Sequence, residues 1–396
     1  MQISLSEAQR LTLASQCLYG NPFVGLQGTI AAIEHLGYVQ LDTLAVVTRA
    51  HHHTLWSRVK EYRVNFLDTL LLEKKIFEYW SHAAAYLPAC DFRFTLYPKN
   101  IYACGKSHWF QQDEQMKKTV LERIQKEGPL FSKDFKCSSN GRSEWYGWKP
   151  AKKALEQLFM EGKLMVRERR GFQKLYDLTE RVFPEGIALT MPSEDEFAQH
   201  LILKSISANG ISTAHEIGYL RSFAKTAIAK NIKYLVKEGA ITPIEVENIE
   251  TIYYGIRAKC EALIQNKVVD REVYILSPFD NVAIQRKRLQ TLFGIDFSIE
   301  CYLPEAKRKF GYFCLPILHG ERFVARFDPQ VERSERTFYI KSFHAEKGFK
   351  MTEEFAGAFV EKLRLFAAFN GCEKVGIGRG EPKCIKDLLK LRQKKK

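Results

Sequence analysis

Gln40 and Asp42, in the run Gly37-Tyr38-Val39-Gln40-Leu41-Asp42-Thr43, are two side chains whose types and spacing suit hydrolytic chemistry. Strand side chains alternate between faces, so in an extended run Gln40 and Asp42 share one face while Val39, Leu41 and Thr43 take the other. An amide two residues from a carboxylate can hold one water between them and activate it. A polyanion repels a carboxylate, so a surface built only to bind one does better without it. Hydrolysis of a glycosidic bond needs one, to activate water and to oppose the positive charge that develops on the sugar. On pattern alone the pair more often describes a solvent-facing polar strand, roughly four times in five.

The surrounding elements repeat one grammar. Residues 26–43 read as a helix with Ile30, Ile33 and Leu36 inside, a stop at Gly37 and then the strand. Residues 151–178 read as a basic helix, with Lys152 and Lys153 outside and Leu155, Leu158 and Phe159 inside. A stop at Gly162 and two strands around Arg170-Gly171 follow. Residues 225–254 repeat the order, with Ile228, Ile232 and Leu235 inside and a stop at Gly239. Glycine ends a helix cheaply because it takes the left-handed conformation without strain. One or two short helices precede each unit. Helix, helix, recognition helix and two-stranded wing is the winged-helix order.

From about Arg271 short strands with Pro and Gly punctuation take over, which suggests an antiparallel sheet or small barrel, closed by a helix capped at Thr352. The fold class is therefore expected to be α+β: three tandem winged-helix modules (residues 1–108, 109–190 and 191–270), then a barrel-like domain with a terminal helix and basic tail (residues 271–396).

At 396 residues the chain has room for several cores. The balance of 60 Lys plus Arg against 46 Asp plus Glu, net +14, points to a polyanionic partner, nucleic acid first. Nine scattered cysteines with no Cys-x-x-Cys pair speak against a zinc ribbon or iron–sulfur loop and for reduced thiols. No signal core and no run long enough to cross a bilayer is visible. A cytoplasmic, nucleoid-associated monomer without cofactor or metal is expected. His51-His52-His53 could suggest a metal site, but consecutive side chains splay apart, so a turn or exposed strand is expected there.

The blocks Gln40-Leu41-Asp42, Glu78-Tyr79-Trp80-Ser81-His82 through Pro88, Asp91-Phe92-Arg93, Leu276-Ser277-Pro278-Phe279-Asp280 and Lys307-Arg308-Lys309-Phe310-Gly311-Tyr312 with Leu315-Pro316 resemble, in this order, the winged-helix interstrand-crosslink DNA glycosylases. The likeness is to the YcaQ-like branch, related to AlkZ, from residue 5 to about residue 370. It implies winged helices and a barrel around a DNA channel, and a catalytic Gln-apolar-Gln or Gln-apolar-Asp motif, here in the Asp form. It also implies removal of N7-alkylated purines from double-stranded DNA, including unhooking of crosslinks joined through guanine N7.

An N7-alkylated guanine is already cationic and leaves without a proton donor. Asp42 would then oppose the sugar cation and act as general base, with Gln40 orienting water. No lysine nucleophile lies in the motif, so an abasic site without strand cleavage is expected. A crosslinked guanine cannot swing out freely, so the catalytic strand is expected to approach C1′ of a base still in the stack.

DNA contacts are expected among His82, which reaches toward the site, Lys152, Lys153, Arg167, Arg169, Arg170, Lys174, Lys225, Lys230, and Arg286, Arg288, Lys307 and Arg308, whose clusters would line the channel. Arg167, Arg169, Arg170, Lys174, Lys225 and Lys230 read equally as solvated surface charges. The alternative to an enzyme is a non-enzymatic winged-helix regulator or architectural protein, since such modules bind DNA in many proteins without chemistry.

Overall fold

The apolar stripe of one helix decides how the candidate strand is held. In the computed structural model, which describes residues 1–20, 22–105, 113–135, 144–183, 186, 188–265 and 271–378, the helix Gly25–Leu36 buries Ala32, Ile33 and Leu36 against Val39, Leu41, Leu67 and Tyr86. It ends at Gly37, whose φ of 79° is left-handed and whose N–H closes on Ile33 O. Two residues later the strand Val39–Gln40 pairs antiparallel with Ala84–Pro88, which pairs in turn with Ile76–Trp80. The strand is shorter than the extended run expected to Thr43. Leu41 N–H still reaches Ala84 O at 2.8 Å, but the chain then leaves the sheet. The cause is local: Asp42 Oδ1 accepts from Leu44 N–H at 2.7 Å, an Asx turn that competes with the ladder.

The next unit places the helices Glu114–Glu127 and Glu144–Met160 before the hairpin Leu164–Arg170 and Gln173–Leu178, with Leu130–Phe131 on the outer edge. Leu155, Leu158 and Phe159 are buried in one cluster with Val166 and Tyr176 and also with Phe77, Tyr79 and Phe92. Residues on either side of position 108 therefore share a core. The helices Glu194–Asn209, Ala214–Ile217 and Lys225–Lys237 form the third unit, burying Ile228, Ile232 and Leu235. Its sheet runs Gln2–Ile3, Thr242–Val246, Tyr253–Gly255, Ile211–Ser212. The start of the chain thus completes a sheet more than two hundred residues downstream, in parallel pairing with Thr242–Val246.

The last region is a five-stranded sheet in the order Val273–Ile275, Leu315–His319, Arg322–Glu332, Thr337–Ala345, Lys374–Ile377, with the final strand parallel to its neighbour. The helix Glu353–Phe369, capped by Thr352, buries Phe355, Phe359, Leu363 and Phe366 against it. The basic tail, Cys137 and Cys384 lie outside the described residues. The described cysteines are free thiols, and no described helix is long and apolar enough to cross a membrane.

Candidate active site

Gln40 is buried at the rim of the first sheet, only 6% exposed, and not solvent-facing as an isolated polar strand residue would be. The turn between Ile76–Trp80 and Ala84–Pro88 brings His82 over it. His82 Nε2 lies 3.1 Å from Gln40 Oε1, and a carbonyl oxygen only accepts, so Nε2 carries the proton. Burial, and then the positive charge of Arg221, push His82 down to about 3, so the ring is neutral. With Oε1 occupied, the amide N–H groups of Gln40 are left to donate to a water. His82 itself is held edge-on by Tyr38 and Tyr219, with ring centroids 5.0 and 5.3 Å away. Behind it lies a cavity of about 130 Å³, walled in part by Tyr38, Trp80, Tyr219 and Arg221. Arg221 donates to Ser81 Oγ there at 2.6 Å.

Asp42 is half-buried at the point where the chain turns away from the sheet. Burial raises its pKa, and the Leu44 N–H, the Arg49 charge and the Thr43 N–H oppose that rise without cancelling it. A carboxylate so placed is a better base than an exposed one. Arg49 anchors the same turn by donating to Thr43 O at 3.1 Å. Its guanidinium lies 3.8 Å from the Phe172 ring centroid, and that of Arg169 4.3 Å, so the tip of the second unit's hairpin is gripped between two cations. Arg333 adds a further positive charge beside Arg49. Sequence reasoning missed Arg49 and Arg333, because neither belongs to a basic cluster in the chain. They become a group of like charges only where the loop and the hairpin Arg322–Glu332/Thr337–Ala345 meet, an arrangement suited to an anion.

The three histidines form a helix, Ala50–Trp56, rather than the turn or exposed strand expected. Its rings pack inward and meet different surroundings, and Nδ1 of His51 and of His53 is buried without a hydrogen-bond partner. His51 packs edge-on to Tyr86, His52 Nδ1 meets Tyr62 OH at 2.7 Å, and His53 donates to Ile275 O at 2.9 Å while stacking on Phe366. Burial pushes His52 and His53 down to about 4. Among the described residues no His, Cys, Asp and Glu side chains assemble a metal site. Just past the end of this helix, Arg58 is fully buried in a two-bond pair with Asp280. The Ser277-Pro278-Phe279-Asp280 block therefore supports the loop that carries Asp42.

The expected DNA contacts divide by environment. Arg169 and Lys174 do not face solvent. Arg169 makes two hydrogen bonds to Glu78, at 2.7 and 2.8 Å, and Lys174 approaches the same carboxylate at 3.3 Å. Burial would push Glu78 up, but Lys174 and Arg169 hold it below the ordinary carboxylate value. Their charge is spent clamping the hairpin to the first sheet. Arg288 is also not a surface residue: it is 2% exposed, bonded to Glu216 at 2.6 Å, to Thr12 at 2.9 Å and to backbone carbonyls. Arg286 is partly buried, donating to Ala283 O and Pro278 O, and burial pushes it down to about 10.

Lys152, Lys153, Lys225 and Lys307 are exposed. Arg167, Arg170 and Lys230 are exposed too, each with an acidic neighbour: Asp177, Glu168 and Asp195. Arg308 is half-buried, donating to Leu303 O. The structure brings Gln40, His82 and Asp42 to one corner of the first sheet. It distributes the basic residues over every unit.

The profile of a family described as DNA glycosylase AlkZ-like matches residues 33–369 of this chain. The solved structure of the Streptomyces sahachiroi DNA glycosylase AlkZ is similar to it, with a TM-score of 0.64 and 14% identity over 95% of this chain and 99% of that one. At that identity the structural likeness speaks for the fold alone.

Proposed function

The chain belongs to the AlkZ-like DNA glycosylase family and is a DNA glycosylase, and from that premise we propose that it hydrolyses the N-glycosidic bond of cationic N7-alkylated purines with Gln40 and Asp42. In the same reading it unhooks interstrand crosslinks joined through guanine N7. The units at residues 1–108, 109–190 and 191–270 serve as winged-helix modules, and the enzyme works on duplex DNA as a monomer.

The supporting observation is the hydrogen bond from neutral His82 to Gln40, two residues before a carboxylate of raised pKa. A water accepting from the Gln40 amide can donate to Asp42 and turn its remaining lone pair toward C1′. As the C1′–N9 bond breaks, its electron pair passes to the cationic purine, which leaves neutral and needs no acid. The Asp42 charge opposes the oxocarbenium character of the sugar, then Asp42 takes the proton as the water oxygen bonds to C1′. The motif holds no lysine nucleophile, so in this reading the product is an abasic site without strand cleavage.

The test uses end-labelled duplex DNA carrying one N7-methylguanine, treated with alkali after incubation. The expected result is alkali-dependent cleavage by wild type that is largely lost in Asp42→Asn. Binding without cleavage directs the same assay to a nitrogen-mustard crosslinked duplex, and an intact crosslink there refutes the reading.

A further inference from the structure

The loop from Glu300 to Gly311 lies beside Asp42 and is built to be rigid at its base and apolar at its apex. Glu300 accepts from the N–H groups of Phe310 and Gly311, at 2.9 and 3.2 Å, closing the loop. Leu303 N–H reaches Glu300 O at 2.9 Å, and Arg308 ties across to Leu303 O at 3.0 Å. Gly311 seats the base against Asp328, where an added Cβ would lie 2.5 Å from that side chain, and Asp328 binds the Tyr312 and Phe313 N–H groups. From this base the apex projects Tyr302, 77% exposed, and Leu303, 41% exposed, followed by Pro304. Ile299 and Tyr312, on either side of the loop, pack on the same apolar cluster as Leu44 and Val46, which follow Asp42 closely in the chain, and this seats the apex on the side of the carboxylate. Burial first, and then the Asp42 charge, raise Cys301 there. Lys307 and Lys309 flank the apex and are exposed.

An exposed tyrosine and leucine beside a reactive carboxylate lose free energy to water unless something covers them. We propose that Tyr302 and Leu303 are a wedge that enters the DNA base stack next to the damaged nucleotide, with Lys307 and Lys309 on the adjoining phosphates. The inference rests on Asp42 acting at C1′. A glycosidic bond inside a duplex is shielded by its neighbours, and apolar side chains inserted at a base step unstack it and open the groove. The wedge gives Asp42 access to a base that a crosslink prevents from flipping. Of the two side chains Tyr302 supplies the stacking face and Leu303 the steric bulk.

The test places 2-aminopurine beside a tetrahydrofuran abasic analogue in a duplex and follows its fluorescence on adding protein. The wedge requires a rise with wild type and Tyr302→Phe, and its loss with Tyr302→Ala and with the double variant Tyr302→Ala, Leu303→Ala. On N7-methylguanine DNA, excision by Tyr302→Ala should fall roughly tenfold, the worth of one base–aromatic stack, with affinity for intact duplex little changed. No fluorescence rise with wild type, or an equal rise with Tyr302→Ala, overturns the wedge. The fluorescence arm is repeated with Asp42→Asn: a Tyr302-dependent rise there upholds the wedge even where excision fails, so the two readings fall separately.

Discussion

Asp280 and Arg58 stand 222 residues apart and meet in the interior, each carboxylate oxygen accepting from a guanidinium nitrogen, at 2.8 and 2.7 Å. Arg58 also donates to Gln16 O and Thr54 O, so the end of the helix Ala50–Trp56 is tied to the N-terminal helix and to the last region at once. This joint fixes the segment that runs back to Asp42. Asp280→Ala leaves a buried cation without its partner, and urea unfolding is expected to show a loss of about 3–5 kcal/mol. Arg58→Met with Asp280→Leu removes both charges and should recover much of it.

Catalysis should follow the ionisation of Asp42. Only the carboxylate can take a proton from water, and its pKa is raised by burial. The rate is therefore expected to climb with pH along a limb displaced upward from that of an exposed aspartate. Asp42→Asn should abolish that limb and cost roughly 10²–10⁴-fold in single-turnover rate, with DNA affinity kept.

His82 acts through Gln40. His82→Ala frees the amide to rotate, and the expected result is a fall of roughly tenfold in kcat with unchanged affinity for duplex DNA. Because burial keeps the ring neutral down to about 3, the wild-type profile should show no inflection near the usual histidine value. An inflection there that vanishes in His82→Ala would contradict this role.

Acid should loosen the joint around the helix Ala50–Trp56. His52 and His53 have folded values near 4 against 6.5 for a free ring. Between those limits the unfolded chain binds protons that the folded one does not, so stability falls as pH drops through this window and is full above it. The expected loss is on the order of a few kcal/mol from pH 7 to pH 4, read by denaturant titration, and smaller in His53→Phe.

Basic residues should separate into two kinds in binding assays. Lys307→Ala and Arg333→Ala, both at exposed positions, are expected to weaken DNA binding and to reduce the salt slope by about 0.9 for each phosphate that is no longer neutralised. Arg288→Met and Glu78→Gln are expected to lower stability instead, because each breaks a buried ion pair. An unchanged slope in Lys307→Ala with a changed one in Arg288→Met would reverse the assignment.

The sequence alone determined what depends on near neighbours. Helix stripes such as Ile228, Ile232 and Leu235, the left-handed stop at Gly37 and the Thr352 cap are set within a turn or two of chain, and all are as the periodicity implies. The two-residue spacing of Gln40 and Asp42 was equally legible, as was the α+β class. Tertiary structure decided everything that depends on which charge meets which. Arg169, Arg170 and Arg288 look alike in sequence, yet one clamps Glu78, one lies in solvent and one is buried on Glu216. Gln40 became a held amide only because a turn 42 residues later brings His82 to its oxygen. Asp42 left the strand because its own side chain captured a backbone N–H. Local propensity is a property of a short window of residues. The partner of a buried polar group is fixed by the packing of distant elements, and no pattern in the chain encodes it directly.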